Sequence, residues 1–187
     1  MKSAARMVLF GTLPAFFALA LAAPSGAQVR DARTVPVKAK QTGFGVFQES
    51  FANPAPAALR TAFGEPESIT SPSGFTCRFS WASLGIFNLE LVAFGDATDA
   101  CTQGVFLTAA LTDPSWHTPS GLHPGGPAGP AKKQAVSACK PKFNCRGGGY
   151  VLGTHKSVCS AAKAPNVVAR TGNGVIRSLV VFTHSCE

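Results

Sequence analysis

The chain has 187 residues, 45% of them apolar and only 14% charged, which excludes a disordered, charge-extended chain. Its length allows one good core or two small ones. The formal net charge is +8, and no apolar run after residue 27 is long enough to span a bilayer, which excludes transmembrane anchoring of that part.

Residues 1–27 read as a signal peptide. Lys2 and Arg6 form a basic leader, Val8–Ala23 is a nearly unbroken apolar run interrupted by Gly11 and Pro14, and Ser25-Gly26-Ala27 supplies small residues for cleavage. That predicts a secreted protein, extracellular or periplasmic. Residues 28–41 are basic and lack a period, so they read as a flexible arm.

A short helix is expected over 55–63, opened by Pro54-Ala55-Pro56 and closed by Gly64-Glu65-Pro66. Strands follow. Phe75, Cys77, Phe79 and Trp81 alternate with Thr76, Arg78 and Ser80, giving a dry and a wet face. Phe87, Leu89, Leu91 and Ala93 continue the dry set. Ser83-Leu84-Gly85 fits a three-residue hairpin with a left-handed glycine. Its register places Trp81 opposite Phe87, Phe79 opposite Leu89, and Arg78 opposite Glu90. A further strand over 105–112 ends at Asp113-Pro114.

Residues 118–131 are dense in Pro and Gly and read as a loop or linker. A helix over 132–139 is stopped by Pro141. Residues 149–156, 166–171 and 175–184 read as strands, with Asn173-Gly174 as a turn. The chain thus divides into a first α+β unit (42–117), the linker, and a second, basic unit (132–187). The fold class is α+β: mainly antiparallel sheet with short helices on one face. The repeated element order suggests two tandem helix-plus-sheet units, weighed against chance likeness.

Charge is segregated. Residues 28–40 carry four Lys/Arg against Asp31. Residues 41–130 carry Arg60 and Arg78 against seven carboxylates, and residues 131–187 carry nine Lys/Arg against Glu187. Solvated faces of opposite sign are the plain reading; a basic half that meets an anionic partner is the sharper one.

The order "AALRTAFGEPES", Cys-x-x-x-Trp, a Gly-led strand and "WHTPSGL" resembles secreted bacterial proteins with a tandem fold of the β-lactamase-inhibitory-protein type. The single unit is similar to the small outer-membrane lipoprotein domain of the SmpA/OmlA type. The resemblance covers about residues 42–187 and implies a short helical segment on one face of an antiparallel sheet in each unit. Gly121–Pro130 is full of helix breakers where the second unit would open with a helix. No segment matches an inhibitor's binding loop.

Three common catalytic or nucleotide-binding motifs, Gly-x-Ser-x-Gly, Gly-x4-Gly-Lys-Ser/Thr and a strand-to-helix Gly-x-Gly-x-x-Gly, are absent. Arg146-Gly147-Gly148-Gly149 is either an anion-binding nest or a flexible run into a strand. His117 and His123 with Asp113 have loop spacing, so solvated histidines are preferred over a metal site. His155 and His184 have no carboxylate nearby in sequence. Glu65 and Glu67 are turn neighbours rather than a facing pair. Asp96 and Asp99 lack the further ligands of a calcium loop. No cofactor and no metal are expected.

All six cysteines follow residue 27, and an even count in an exported chain reads as disulfides. In a meander the start of the Phe75 strand lies beside the end of the Leu89 strand, which predicts Cys77–Cys101. The last strand ends near the turn after Lys156, which predicts Cys159–Cys186. Cys139–Cys145 is the remainder. The leading function is a secreted, disulfide-bonded, non-enzymatic binding protein, inhibitor-like at most, whose partner is an extracellular protein. Its contact would be the wet face at Arg78, Ser80, Asn88 and Glu90. The alternatives are a module that binds an anionic polymer through Lys132, Lys133, Lys140, Lys142 and Arg146, and a small secreted hydrolase.

Overall fold

The computed structural model describes residues 33–35, 37, 55–138, 148–156 and 163–182. Eight antiparallel strands form one sheet. They are β1 (Ser68–Ser73), β2 (Thr76–Trp81), β3 (Ile86–Val92), β4 (Val105–Leu111), β5 (Ser137–Ala138), β6 (Gly149–Lys156), β7 (Lys163–Gly172) and β8 (Val175–Phe182). Their order across the sheet is β1-β2-β3-β4-β8-β7-β6-β5. Each half of the chain folds as a meander of consecutive neighbours, and the two meanders meet at their last strands. The helices are α1 (Ala55–Phe63), α2 (Ala100–Gln103) and α3 (Ala128–Gln134). The α+β class dominated by antiparallel sheet is therefore the observed one. Among the described residues no helix is long and apolar enough to cross a membrane.

The period-two residues explain the core. Cys77, Phe79, Trp81, Leu89, Leu91, Phe106 and Leu111 point to one face and are buried together with Leu59 of α1, Ala100 of α2 and Ala131 of α3. Among the described residues the helices pack on this face. The ring of Phe63 packs edge-on against Trp81 and Trp116, at 5.6 and 6.0 Å. Both indoles also find acceptors: Trp81 Nε1 donates to Gly64 O at 3.1 Å and Trp116 Nε1 to Leu84 O at 2.7 Å. Buried Trp needs such a partner, because an unpaired N–H in the core is costly.

Several details differ from expectation. Trp81 lies opposite Ile86, not Phe87. A 3-10 turn over Ala82–Leu84, closed by left-handed Gly85, lengthens the hairpin loop by one residue. The register shifts again after Phe87, so Ile86 is fully buried while Phe87 is 38% exposed. Phe75 lies in the β1–β2 turn and is exposed rather than in the dry face. β1 carries one large apolar residue and is exposed throughout, so no hydrophobic period marks it. Its Pro72 suits an edge strand. The helix expected over 132–139 instead starts at Ala128, inside the Pro/Gly-rich stretch. That stretch is tied down: Gly125 N donates to Ile176 O, Ile176 N to Gly126 O and Ala128 N to Gly174 O, each at 2.8 Å.

Part of the stretch read as a basic arm is also built in. Thr34 bridges His117 in parallel, Val35 N donates to His117 O at 2.8 Å, and Val35 is buried in the core.

Cys77 and Cys101 form a disulfide with Cα atoms 5.1 Å apart. Asp99 caps α2 by accepting from Cys101 N at 2.9 Å, which fixes the half-turn that carries Cys101. The pairs proposed for Cys139, Cys145, Cys159 and Cys186 lie outside the described residues.

Candidate recognition face

On β2 and β3 the residues between the core positions point away from the helices. Arg78 and Glu90 are register partners, and Arg78 Nε donates to Glu90 Oε2 at 2.9 Å. Their side chains are 44% and 23% exposed. Ser80 Oγ accepts from Asn88 N at 3.3 Å. Asn88 has φ 48, the left-handed region that asparagine tolerates better than most residues. This irregularity pushes the Asn88 side chain into solvent. The structure therefore brings Arg78, Ser80, Asn88 and Glu90 together on two adjacent strands. Register adds Thr70 beside Arg78 and Thr108 beside Glu90.

A solvent-exposed pair of this kind is worth only about 0.2–1 kcal/mol. The Arg78–Glu90 pair is thus a poor explanation of stability. It holds two charged groups in fixed positions, using only the Nε of the guanidinium.

The same face changes character beyond β4. Ala110, Val180, Val168 and Val151 are partners across β4, β8, β7 and β6. The three valines form a second buried cluster with Ala110 and Phe182 packed against it. Two residues along β7 from Val168, Arg170 lies between Ser178 and Gly149. Sequence reasoning passed over Arg170. The signal available was the absence of any Asp or Glu from Pro114 to Cys186.

Lys132 and Lys133 are exposed in the last turn of α3, while Lys140, Lys142 and Arg146 lie outside the described residues. Glu67 accepts from Ala82 N and Ser83 N, both at 3.0 Å, and from Ser83 Oγ. Those bonds from Ser83 hold its carboxyl below the usual carboxylate range. Arg60 donates to Glu65 at 3.0 Å, and its guanidinium lies 4.9 Å from the centre of the Phe79 ring.

Asp113 accepts from Ser115 N at 2.8 Å and from Ser115 Oγ, and Arg33 Nη1 donates to the same hydroxyl. The Ser115 bonds, with a smaller contribution from Arg33, hold the Asp113 carboxyl down. His117 Nδ1 donates to Ser115 O at 2.9 Å, and its Nε2 lies 3.4 Å from Thr34 Oγ1. His123 Nδ1 meets Pro124 O at 2.8 Å. Asp113, Ser115 and His117 are neighbours, yet the imidazole is oriented on a carbonyl rather than on the serine hydroxyl or the carboxylate. A nucleophilic triad needs the opposite arrangement. Among the described residues no group of three or more His, Cys, Asp or Glu could hold a metal ion.

No family model matches the sequence, and neither a curated protein nor a solved structure matches the chain.

Proposed function

We propose that this chain is an exported, disulfide-bonded, non-enzymatic binding protein that recognises an extracellular protein through the face around Arg78, Ser80, Asn88 and Glu90. The observation that carries this reading is the placement of the register-locked Arg78–Glu90 pair on the sheet face away from the helices. Side chains on a rigid sheet lose little conformational freedom on binding. A fixed pair of opposite charges gives orientation and partner discrimination more than raw affinity.

Two further elements belong to this proposal. Export rests on the signal-like residues 1–27 and is compatible with the Cys77–Cys101 bridge. Tandem duplication rests on the two meanders, each preceded by a short helix, α1 or α3. The likeness to the β-lactamase-inhibitory-protein type is part of that duplication proposal.

The experiment is capture from the secreted milieu with residues 28–187, native and Arg78→Glu. The variant places like charges opposite each other at an exposed site. The proposal expects a protein retained by the native chain and lost by the variant, with the fold kept. Equal retention by both removes this face from consideration.

A second reading is retained because one observation favours it: the basic second half has no carboxylate between Asp113 and Glu187. In that reading the half holds an anionic polymer through Lys132, Lys133, Lys140, Lys142 and Arg146. Steep loss of binding with added salt distinguishes it from a protein contact.

A further inference from the structure

Arg170 is in an unusual setting for a guanidinium. It lies on β7 with Ser178 beside it on β8 and Gly149 on β6. Ser178 is 6% exposed, and Val168, two residues earlier on the strand, is fully buried. The Arg170 Nε is buried with no hydrogen-bond partner. Neither ion pair found among the described residues involves Arg170. Burial pulls its pKa below the ordinary value for arginine, the direction that desolvation of a cation gives.

The sequence cannot supply the missing anion locally. No Asp or Glu occurs from Pro114 to Cys186, so all of α3 and β5–β8 lack one. A half-buried cation without a counter-charge is costly, and such groups are normally paired. The same hairpin adds a second guanidinium: Arg177 lies along Gly172, with Nε 3.2 Å from where a Cβ would stand. A guanidinium offers a fork of donors that matches tetrahedral oxyanions, and its apolar neighbours strengthen the attraction.

We propose that Arg170 seats an oxyanion, a phosphate or sulfate group, with the Ser178 hydroxyl beside it as a further donor. This site lies on the same side of the sheet as the Arg78–Glu90 pair but apart from it. It stands on β7, with β4 and β8 between it and β3. The group could come from a free ion or be carried on a polymer, and the chemistry recognised is the same.

Two measurements test it on the mature chain. In the first, sodium phosphate, sodium sulfate and heparin are titrated against chloride at matched ionic strength, for the native chain and Arg170→Met. The proposal expects saturable binding by the native chain, weakened about tenfold or more in the variant, as for loss of a charge-assisted bond. Binding of phosphate or sulfate assigns the free ion; binding of heparin alone assigns a polymer-borne group. The second does not depend on the variant folding. Phenylglyoxal labelling of Arg170, read by mass spectrometry, should slow about tenfold with the anion that binds, as expected when a bound ion occupies the guanidinium, while labelling of Arg78 is unchanged. Binding equal in Arg170→Met, or labelling of Arg170 at the same rate with and without oxyanion, overturns the proposal.

Discussion

Val37 and Gly153 meet so closely that a Cβ built on Gly153 would overlap the Val37 carbonyl oxygen, far inside van der Waals contact distance. Val37 also packs against the main core. Two residues earlier, Val35 is buried and bonded to His117, which follows β4. A short segment near the amino end therefore touches both halves of the sheet, at His117 in one and at β6 in the other. Glycine at 153 is what permits the second contact.

Gly153→Ala should therefore destabilise the protein by roughly 1–3 kcal/mol, the range for overpacking a close contact. Chemical denaturation checks this. Truncating the chain before Lys38 should remove most of the penalty, because the clashing carbonyl goes with Val37. A Gly153→Ala cost that persists in the truncated chain would place the clash elsewhere.

The Cys77–Cys101 bridge closes a loop with a sequence separation of 24. Loop-closure entropy for that length is roughly 3 kcal/mol. The double variant Cys77→Ala/Cys101→Ala should lose about that much stability, measured by denaturant midpoint. An unchanged midpoint would make the bridge idle.

Stability should fall in acid in a defined direction. Asp113 and Glu67 have folded pKa values held below their unfolded ones. A depressed carboxyl contributes stability that is present above its unfolded pKa, about 4, and lost as pH falls through the folded value. Asp113→Asn should thus melt below the native protein at pH 7, and the gap should close as pH falls through the lowered folded pKa of Asp113. A gap that widens in acid would reverse the assigned direction.

Much of this fold is legible in the sequence, and the reasons are local. Pro56 and Gly64 bracket α1 at Ala55–Phe63 as expected. The dry and wet sets of β2 and β3 carry a clear period two, and Arg78 pairs with Glu90 and Phe79 with Leu89 as expected, although a register shift between Phe79 and Trp81 has to offset the longer loop. The Cys77–Cys101 bridge follows from the same meander. What the period cannot reveal is a bulge. Asn88 enters the left-handed region and moves Phe87 out of the core, although Phe87 fits the alternation. Nor does it reveal β1, whose residues are exposed throughout and carry no alternation. Of the candidate face, the four residues were readable as one patch. Arg170 was not, because its setting depends on neighbours from two other strands.

The pairings expected from the sequence for the four cysteines outside the described residues are open to direct test. Peptide mapping of the non-reduced protein should find Cys159 linked to Cys186 and Cys139 to Cys145. A peptide joining Cys139 or Cys145 to Cys186 would contradict this.

If the open face of β1–β3 makes the contact, crosslinking should report it directly. A photo-crosslinking residue at Thr70, which pairs with Arg78 on that face, is compared with one at Ala58, exposed on α1 behind the sheet. With the protein that the native chain captures, a crosslink is expected from position 70 and none from position 58. A crosslink from 58 alone would contradict recognition through the open face.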